Sequence, residues 1–400
     1  MKKNLLSAFL LLFIAVLFTQ CKKDEYEVIQ MTKMITVDQM RALPVGITKA
    51  VQAKKTGKIY IYNDYLFINE PNEGIHIYNN SNPSLPENIA FLKIPGNVDL
   101  AVQNNVLYAD SFIDLLAFDL SNMNSIKQVK RVNDVFRQVY SAGAQKYLYY
   151  TKDTVVKKQR YNGVINDLKS SYSTSSQSGS SGQGGSMARF TLMNDYLYTV
   201  GIYELGLFDV KNASNPSYIK SINLGWGVET IFPYDNKLFI GTNTGMHIFN
   251  AADAANPVKL STYSHVFACD PVVVQGKYAY VTLRTGTSCR QGSNQLEVVD
   301  IQDPTKPKQV AIFPMQSPHG LSVLGNNLFL CEGNFGIKSF DITDYKTIGN
   351  SLLQHLQNIK SFDVIAGPKS LIVTGEDGVY QFNYSNPSNL KQLSTIKVQN

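Results

Sequence analysis

One word recurs along this chain: an apolar strand that ends in Asp or Asn and runs into a polar turn. It is spelled Ile77-Tyr78-Asn79, Ala117-Phe118-Asp119, Leu207-Phe208-Asp209, Ile248-Phe249-Asn250, Val298-Val299-Asp300, Ser339-Phe340-Asp341 and Gln381-Phe382-Asn383. Successive anchors lie 40, 90, 41, 50, 41 and 42 residues apart. Each unit also holds two earlier strands joined by a tight polar turn. A period near 41 residues with three or four strands per unit predicts an all-β, seven-bladed β-propeller over residues 46–400. A single such sheet cannot bury both of its faces. Arranged radially, each sheet covers its neighbour and the ring closes.

The hairpin turns support this count. They are expected at Asn63-Asp64, Asn104-Asn105, Asn194-Asp195, Asp235-Asn236, Gly276-Lys277, Gly325-Asn326 and Gly367-Pro368. Asn, Asp and Gly tolerate the positive φ of two-residue hairpins. Proline does not, so a longer turn is expected at Gly367. The 90-residue gap is one period plus an insertion at about 134–186. Its first half, from Tyr147 through Ile165, reads as a hairpin projecting from the ring. Its second half, Ser170 to Ser186, is almost pure Ser, Gly and Gln and is expected to be disordered. A rival count makes 139–166 an eighth, degenerate blade, but that stretch lacks the Asp-ended third strand. A smaller insertion, Arg284–Gln295, falls between the second and third strands of blade five, on the rim where propellers usually bind.

Before the repeats, residues 1–20 read as a secretion signal: Met1-Lys2-Lys3-Asn4, then an apolar run from Leu5 to Phe18. This fourteen-residue run, broken only by Ser7, makes a helix of roughly 21 Å, short of the ~30 Å hydrocarbon core. Cys21 follows the run as the lipid-bearing cysteine of a lipobox would, so palmitate is expected there. Ordinary cleavage with Cys21 as a spare thiol is the alternative. Residues 21–45 read as a tether with a short helix at Val37–Arg41, stopped by Pro44. Lys22-Lys23-Asp24-Glu25 resembles the export tag of surface lipoproteins in Bacteroidetes. The protein is therefore expected on the outer membrane, lipid-anchored and facing the cell surface. The net charge of +6 comes from 37 scattered basic and 31 acidic residues. No basic stripe carries base-stacking aromatics, so nucleic acid is excluded as a partner.

The segment Leu296-Glu297-Val298-Val299-Asp300-Ile301-Gln302-Asp303-Pro304 resembles the LVIVD repeat, as do Gly206–Pro216 and Gly74–Pro83. Longer words, such as Ile94-Pro95-Gly96-Asn97-Val98-Asp99 and Tyr280-Val281-Thr282-Leu283-Arg284, are similar to LVIVD-repeat β-propeller lipoproteins of Bacteroidetes. The resemblance spans nearly all of 46–400. It implies a fold and a compartment, and it carries no catalytic residue across.

Aligning the first strands by their hairpin turns places one ionisable residue near the start of each: Lys58, Asp99, Arg189, Glu229, Asp270, His319 and Asp363. First strands line the central channel, so these residues are expected to ring one channel mouth, with Arg284 and Glu376 nearby. A ring of mixed sign suits a polar ligand. The favoured function is thus non-enzymatic binding of an envelope protein or a glycan at this rim. A lactonase-like, calcium-dependent hydrolase is the enzyme alternative, weakened because Lys58 and Arg189 compete with a cation for the carboxylates. An architectural subunit of an outer-membrane complex is a third reading, and a channel whose charges satisfy one another is the plainest. No cofactor is otherwise expected, and no Ser-His-Asp spacing, nucleotide loop or helical zinc motif occurs. The seven Asp or Asn anchors are assigned to turn capping, since groups spread over seven blades cannot converge on one ion. Cys269 and Cys289 are expected to form a disulfide, which secretion permits. Cys331 is the rival partner, or else a buried thiol.

Overall fold

The computed structural model describes residues 26–136, 140–142, 145–157, 183–266, 271–285 and 293–399. Seven antiparallel sheets follow one another along the chain and form the blades of a ring. Blade one holds Ile59–Tyr62, Tyr65–Glu70, Gly74–Asn79 and Glu87–Lys93; blade seven holds Ser361–Ala366, Leu371–Gly375, Gly378–Asn383 and Lys391–Lys397. The five blades between them repeat the same four-strand order. The seven-blade count therefore holds.

The local chemistry explains the repetition. The expected hairpin turns are present: Asn104 and Asn105 (φ 50° and 58°), Asn194 and Asp195 (52° and 59°), and Asp235 and Asn236 (46° and 54°) are all left-handed. At Gly367 the turn lengthens, because Ala366 pairs with Leu371 across four residues. Each anchor side chain accepts a hydrogen bond from the backbone N–H two residues on, at 2.8–3.1 Å, in all seven blades. Those are Asx-turns, so the anchors end strands and steer the chain to the outer strand. A register shift stands next to the anchor in every blade, for example at Ile77/Tyr78 and Val298/Val299. Such bulges increase the local twist of the sheet.

Blades pack through apolar residues on both faces, and their 3–4 turns add a repeated polar link. The backbone carbonyls of Pro83, Ala213, Ala254, Pro304 and Pro387 occupy one equivalent position. Each accepts a hydroxyl from the preceding blade: Ser394, Tyr108, Tyr198, Ser261 and Ser339, at 2.6–2.9 Å. Blade seven seals against blade one through Ile59, Ile61, Leu66, Ile68, Ile365, Ile372 and Val379. A reciprocal amide pair, Asn80 with Gln381 at 2.7 and 3.0 Å, is buried in the same seam.

Two segments depart from the sequence-based expectation. Residues 26–36 are not simply tether. Tyr26–Thr36 is a strand that pairs along its whole length with Gln145–Lys157, and Tyr140–Ala142 completes a three-stranded sheet. The helix Val37–Arg41 follows as expected, capped by a reciprocal Thr36–Gln39 box. Its Arg41 makes two parallel bonds to the fully buried carboxylate of Asp114, at 2.8 and 2.9 Å, and Arg131 supplies a third at 2.8 Å. Val37, Met40, Ile113 and Leu148 pack beneath this link and fix the small sheet to blade two. The second departure is the end of the Ser/Gly run. Ser170–Gly182 lies outside the described residues, but Gln183–Gly184 is a strand and Gly184 to Ser186 are buried. Small side chains bury little apolar surface, yet their backbone groups can pair.

Candidate functional site

Gln183 and Gly184 pair with Ile61 and Tyr60, on the free inner edge of blade one's innermost strand. This places the segment inside the central channel. From there the chain touches one blade after another. Ser186 donates from its backbone N (3.1 Å) and its Oγ (3.0 Å) to Asp363 Oδ1 of blade seven, and its Oγ accepts from Leu321 N of blade six at 2.6 Å. Met187 O accepts from Lys58 Nζ of blade one at 2.6 Å. Ala188 O accepts from Ile231 N of blade four at 2.9 Å. Arg189 N and Phe190 N donate to Asp99 Oδ2 of blade two, at 2.5 and 3.2 Å, as the chain enters blade three. At Gly320 a Cβ would stand 2.0 Å from Asp363 Oδ1 and 2.8 Å from Ser186 Oγ, so a side chain there would displace the contact.

The predicted ring divides into two groups. Lys58, Asp99, Arg189 and Asp363 are electrostatic neighbours, and Lys58, Asp99 and Asp363 are buried. Burial lowers the Lys58 ammonium to about 7 against the pull of Asp99. Burial likewise raises Asp99, although Lys58 and three backbone N–H groups oppose it. Asp110, at the end of the second strand beside Asp99, is raised by burial to about 6. The second group is Glu229, Arg284 and His319. Burial lowers Arg284, with Glu229 opposing. Burial and the nearby Arg284 charge together lower His319 to about 4, and its Nδ1 lies 2.7 Å from Ser317 O. Glu376 stands apart, half-exposed and paired with Lys360 on blade seven. Asp270, Cys269 and Cys289 lie outside the described residues, as does Cys21.

The sequence thus places charges at the first-strand starts, but it does not reveal their partners. Lys58, Asp99 and Asp363 were expected to face a ligand and instead hold residues 186–190. Lys58 donates to a backbone carbonyl, Asp99 accepts from backbone N–H groups, and Asp363 accepts from the backbone and hydroxyl of Ser186, because a buried charge is tolerated only when it is bonded. Cys331 is a buried free thiol, raised by desolvation. Among the described residues no three His, Cys, Asp or Glu side chains converge as a metal site, and no helix is long and apolar enough to cross a membrane.

Outside the channel, the same rim carries a cleft of about 630 Å³ between blades two and three. Tyr203, from the loop joining the second and third strands of blade three, lines it. So does Trp226, from the connection to blade four. Their rings are 5.1 Å apart and inclined at 57°. They remain 51% and 64% exposed. Thr199, Glu204, Ser221 and Asn223 supply polar groups around them. In the sequence Trp226 stands out as the lone tryptophan. Its flanking glycines, Gly225 and Gly227, were the signal available.

No family model matches the sequence, and comparison with curated proteins gives no match. Solved structures do resemble it. A protein from Lactobacillus plantarum matches with a TM-score of 0.56 at 12% identity, over 86% of this chain and 97% of that one. The computationally designed Ika8 protein matches at 0.53 and 7% identity, over 86% and 89%. BamB from Moraxella catarrhalis matches at 0.49 and 8% identity, over 88% and 96%. At such identity the likeness concerns the backbone alone; the order of the strands identifies the chain as a seven-bladed β-propeller.

Proposed function

We propose that this chain is a non-enzymatic binding protein of the cell envelope, held through a lipid on Cys21, which engages its partner with the rim where the first strands begin. The observation that carries the reading is the placement of exposed aromatic rings. Among the described residues Tyr203, Tyr218, Trp226 and Phe335 are the exposed ones, and all but Tyr218 stand on connections of that rim. Aromatic side chains are enriched at recognition surfaces because they offer large, stiff contact area. The resemblance to LVIVD-repeat lipoproteins supports the envelope location. A calcium-dependent hydrolase at the channel mouth is the weaker reading. It would need the carboxylates of Asp99 and Asp363, which already serve backbone donors and a serine hydroxyl.

The test is site-specific photo-cross-linking in intact cells. A photoreactive phenylalanine analogue at Tyr203 or Phe335 is expected to give discrete adducts. The same analogue at Leu85 or Leu324, exposed on the opposite rim, is expected to give none. Adducts from the opposite rim alone, or from neither rim, would overturn the assignment.

A further inference from the structure

We infer that the cleft beside Trp226 is a subsite for a neutral hexopyranose unit of a glycan, a reading that rests on the binding function above and gives it a ligand class. The platform is preorganised. Leu224 N donates to Tyr203 O at 2.8 Å, and Gly227 N and Val228 N both donate to Ile202 O, at 3.1 and 3.2 Å. The two aromatic loops are therefore stitched to each other. Gly225 and Gly227 adopt φ of 87° and 86° on either side of Trp226, a conformation that ordinary side chains resist. At Gly227 a Cβ would also meet the Asn243 side chain at 2.3 Å. The loop sequence thus holds an indole outward, despite the cost of leaving apolar surface in water.

The geometry selects among ligands that use aromatic rings. A quaternary ammonium needs rings that wall a gap. Here the two rings touch, at 5.1 Å between centroids, and leave no gap between them. A nucleotide brings phosphates that need cationic neighbours, and among the described residues no Lys, Arg or His lines the cleft. A pyranose has a flat face of C–H groups that lies on an aromatic ring and a rim of hydroxyls that both donate and accept. The cleft matches that division. Apolar faces form its platform, and Thr199, Glu204, Ser221 and Asn223 stand around it with both donors and acceptors. Asn223 Oδ1 accepts from Gly225 N at 2.9 Å, which orients the amide and turns its NH₂ to a ligand hydroxyl. The volume falls in the range that holds small ligands.

Trp226 is the only tryptophan in the chain, so its emission reports this site alone. The probes are neutral hexaoses: α-1,4- and β-1,4-linked glucose, β-1,4-linked mannose, β-1,4-linked galactose and β-1,4-linked N-acetylglucosamine. At least one is expected to give a saturable blue shift of emission and protection from acrylamide quenching. Tyr203→Ala is expected to weaken that binding at least tenfold and Asn223→Ala severalfold, with melting temperatures unchanged because the side chains are peripheral. No saturable response to any hexaose at about 10 mM, an affinity weaker than roughly 3 kcal/mol, would overturn the inference. So would a response that Tyr203→Ala leaves intact, or a response to tetramethylammonium matching the sugars. If rim cross-links to an envelope protein persist in Trp226→Ala while every hexaose fails, the binding function stands and the glycan subsite falls.

Discussion

Removing the carboxylate of Asp363 should unseat the segment that fills the channel. Asp363 is 3% exposed and accepts from both Ser186 N and Ser186 Oγ. In Asp363→Ala those two buried donors lose their acceptor, at about 1–3 kcal/mol each, and Lys58 loses one of the carboxylates that offset its burial. The expected destabilisation is about 3–5 kcal/mol. With an unfolding entropy of ~2.1 cal/mol/K per residue over roughly 350 folded residues, melting should fall by about 4–7 °C. Ser186→Ala supplies the second arm of a double-mutant cycle, because the Ser186 hydroxyl donates to Asp363 Oδ1, while its loss of the bond from Leu321 N cancels across the cycle. A hydrogen bond to a charged group should appear as a coupling of about 1.5–3 kcal/mol. Calorimetry and urea titration measure both quantities. Deleting Ser170–Gly182 serves as the control and should move melting by no more than about 1 °C, since loop length enters stability only logarithmically. A shift below about 1 °C in Asp363→Ala, or a coupling under about 0.5 kcal/mol, would refute the account of the channel.

Three further outcomes are expected. Asp114→Ala leaves Arg41 and Arg131 facing a buried void, so amide exchange in Tyr26–Thr36 should accelerate while exchange in blades three to seven stays unchanged. Lys58 has a folded pKa of about 7 against 10.5 unfolded, so between those values the unfolded chain keeps a proton that the folded one has released. Stability should therefore rise with pH across that window, and the urea midpoint of Lys58→Met should rise less steeply from pH 7 to pH 9.5. Cys21→Ser should release the protein from membranes and abolish palmitate labelling; equal membrane association of both forms would refute the anchor.

The repeat was legible because its signals are local. An Asx-turn needs only the anchor and the residue two places on, and a two-residue hairpin needs only its own φ angles. Residues 183–190 were illegible for the opposite reason. Composition reports what side chains can bury, and a Ser/Gly run buries little. Its order comes from backbone groups meeting Asp99, Ile231 and Asp363, which lie 40 to 180 residues away in sequence. Tyr26–Thr36 was read as tether because its partner, Gln145–Lys157, lies more than 100 residues on. The ring of charges was half legible: positions follow from the repeat, but whether a carboxylate faces solvent or a neighbouring N–H depends on a distant segment.

The seam between blades seven and one has an implication for how the molecule can be rearranged. Many closed rings need a clasp, a strand lent by one end of the chain to the other. Here the four core strands of every blade come from one uninterrupted run, and the closing seam repeats the hydroxyl-to-turn link seen elsewhere, from Ser394 to Pro83. Gln399 N also reaches Ala53 O at 2.7 Å, so the two ends of the repeat array already lie side by side. Joining them with a short linker and cutting instead between Leu356 and Ser361 should yield a permuted protein with the same ring. The start of the repeat would then be an accident of numbering, and the molecule a circle with no privileged opening.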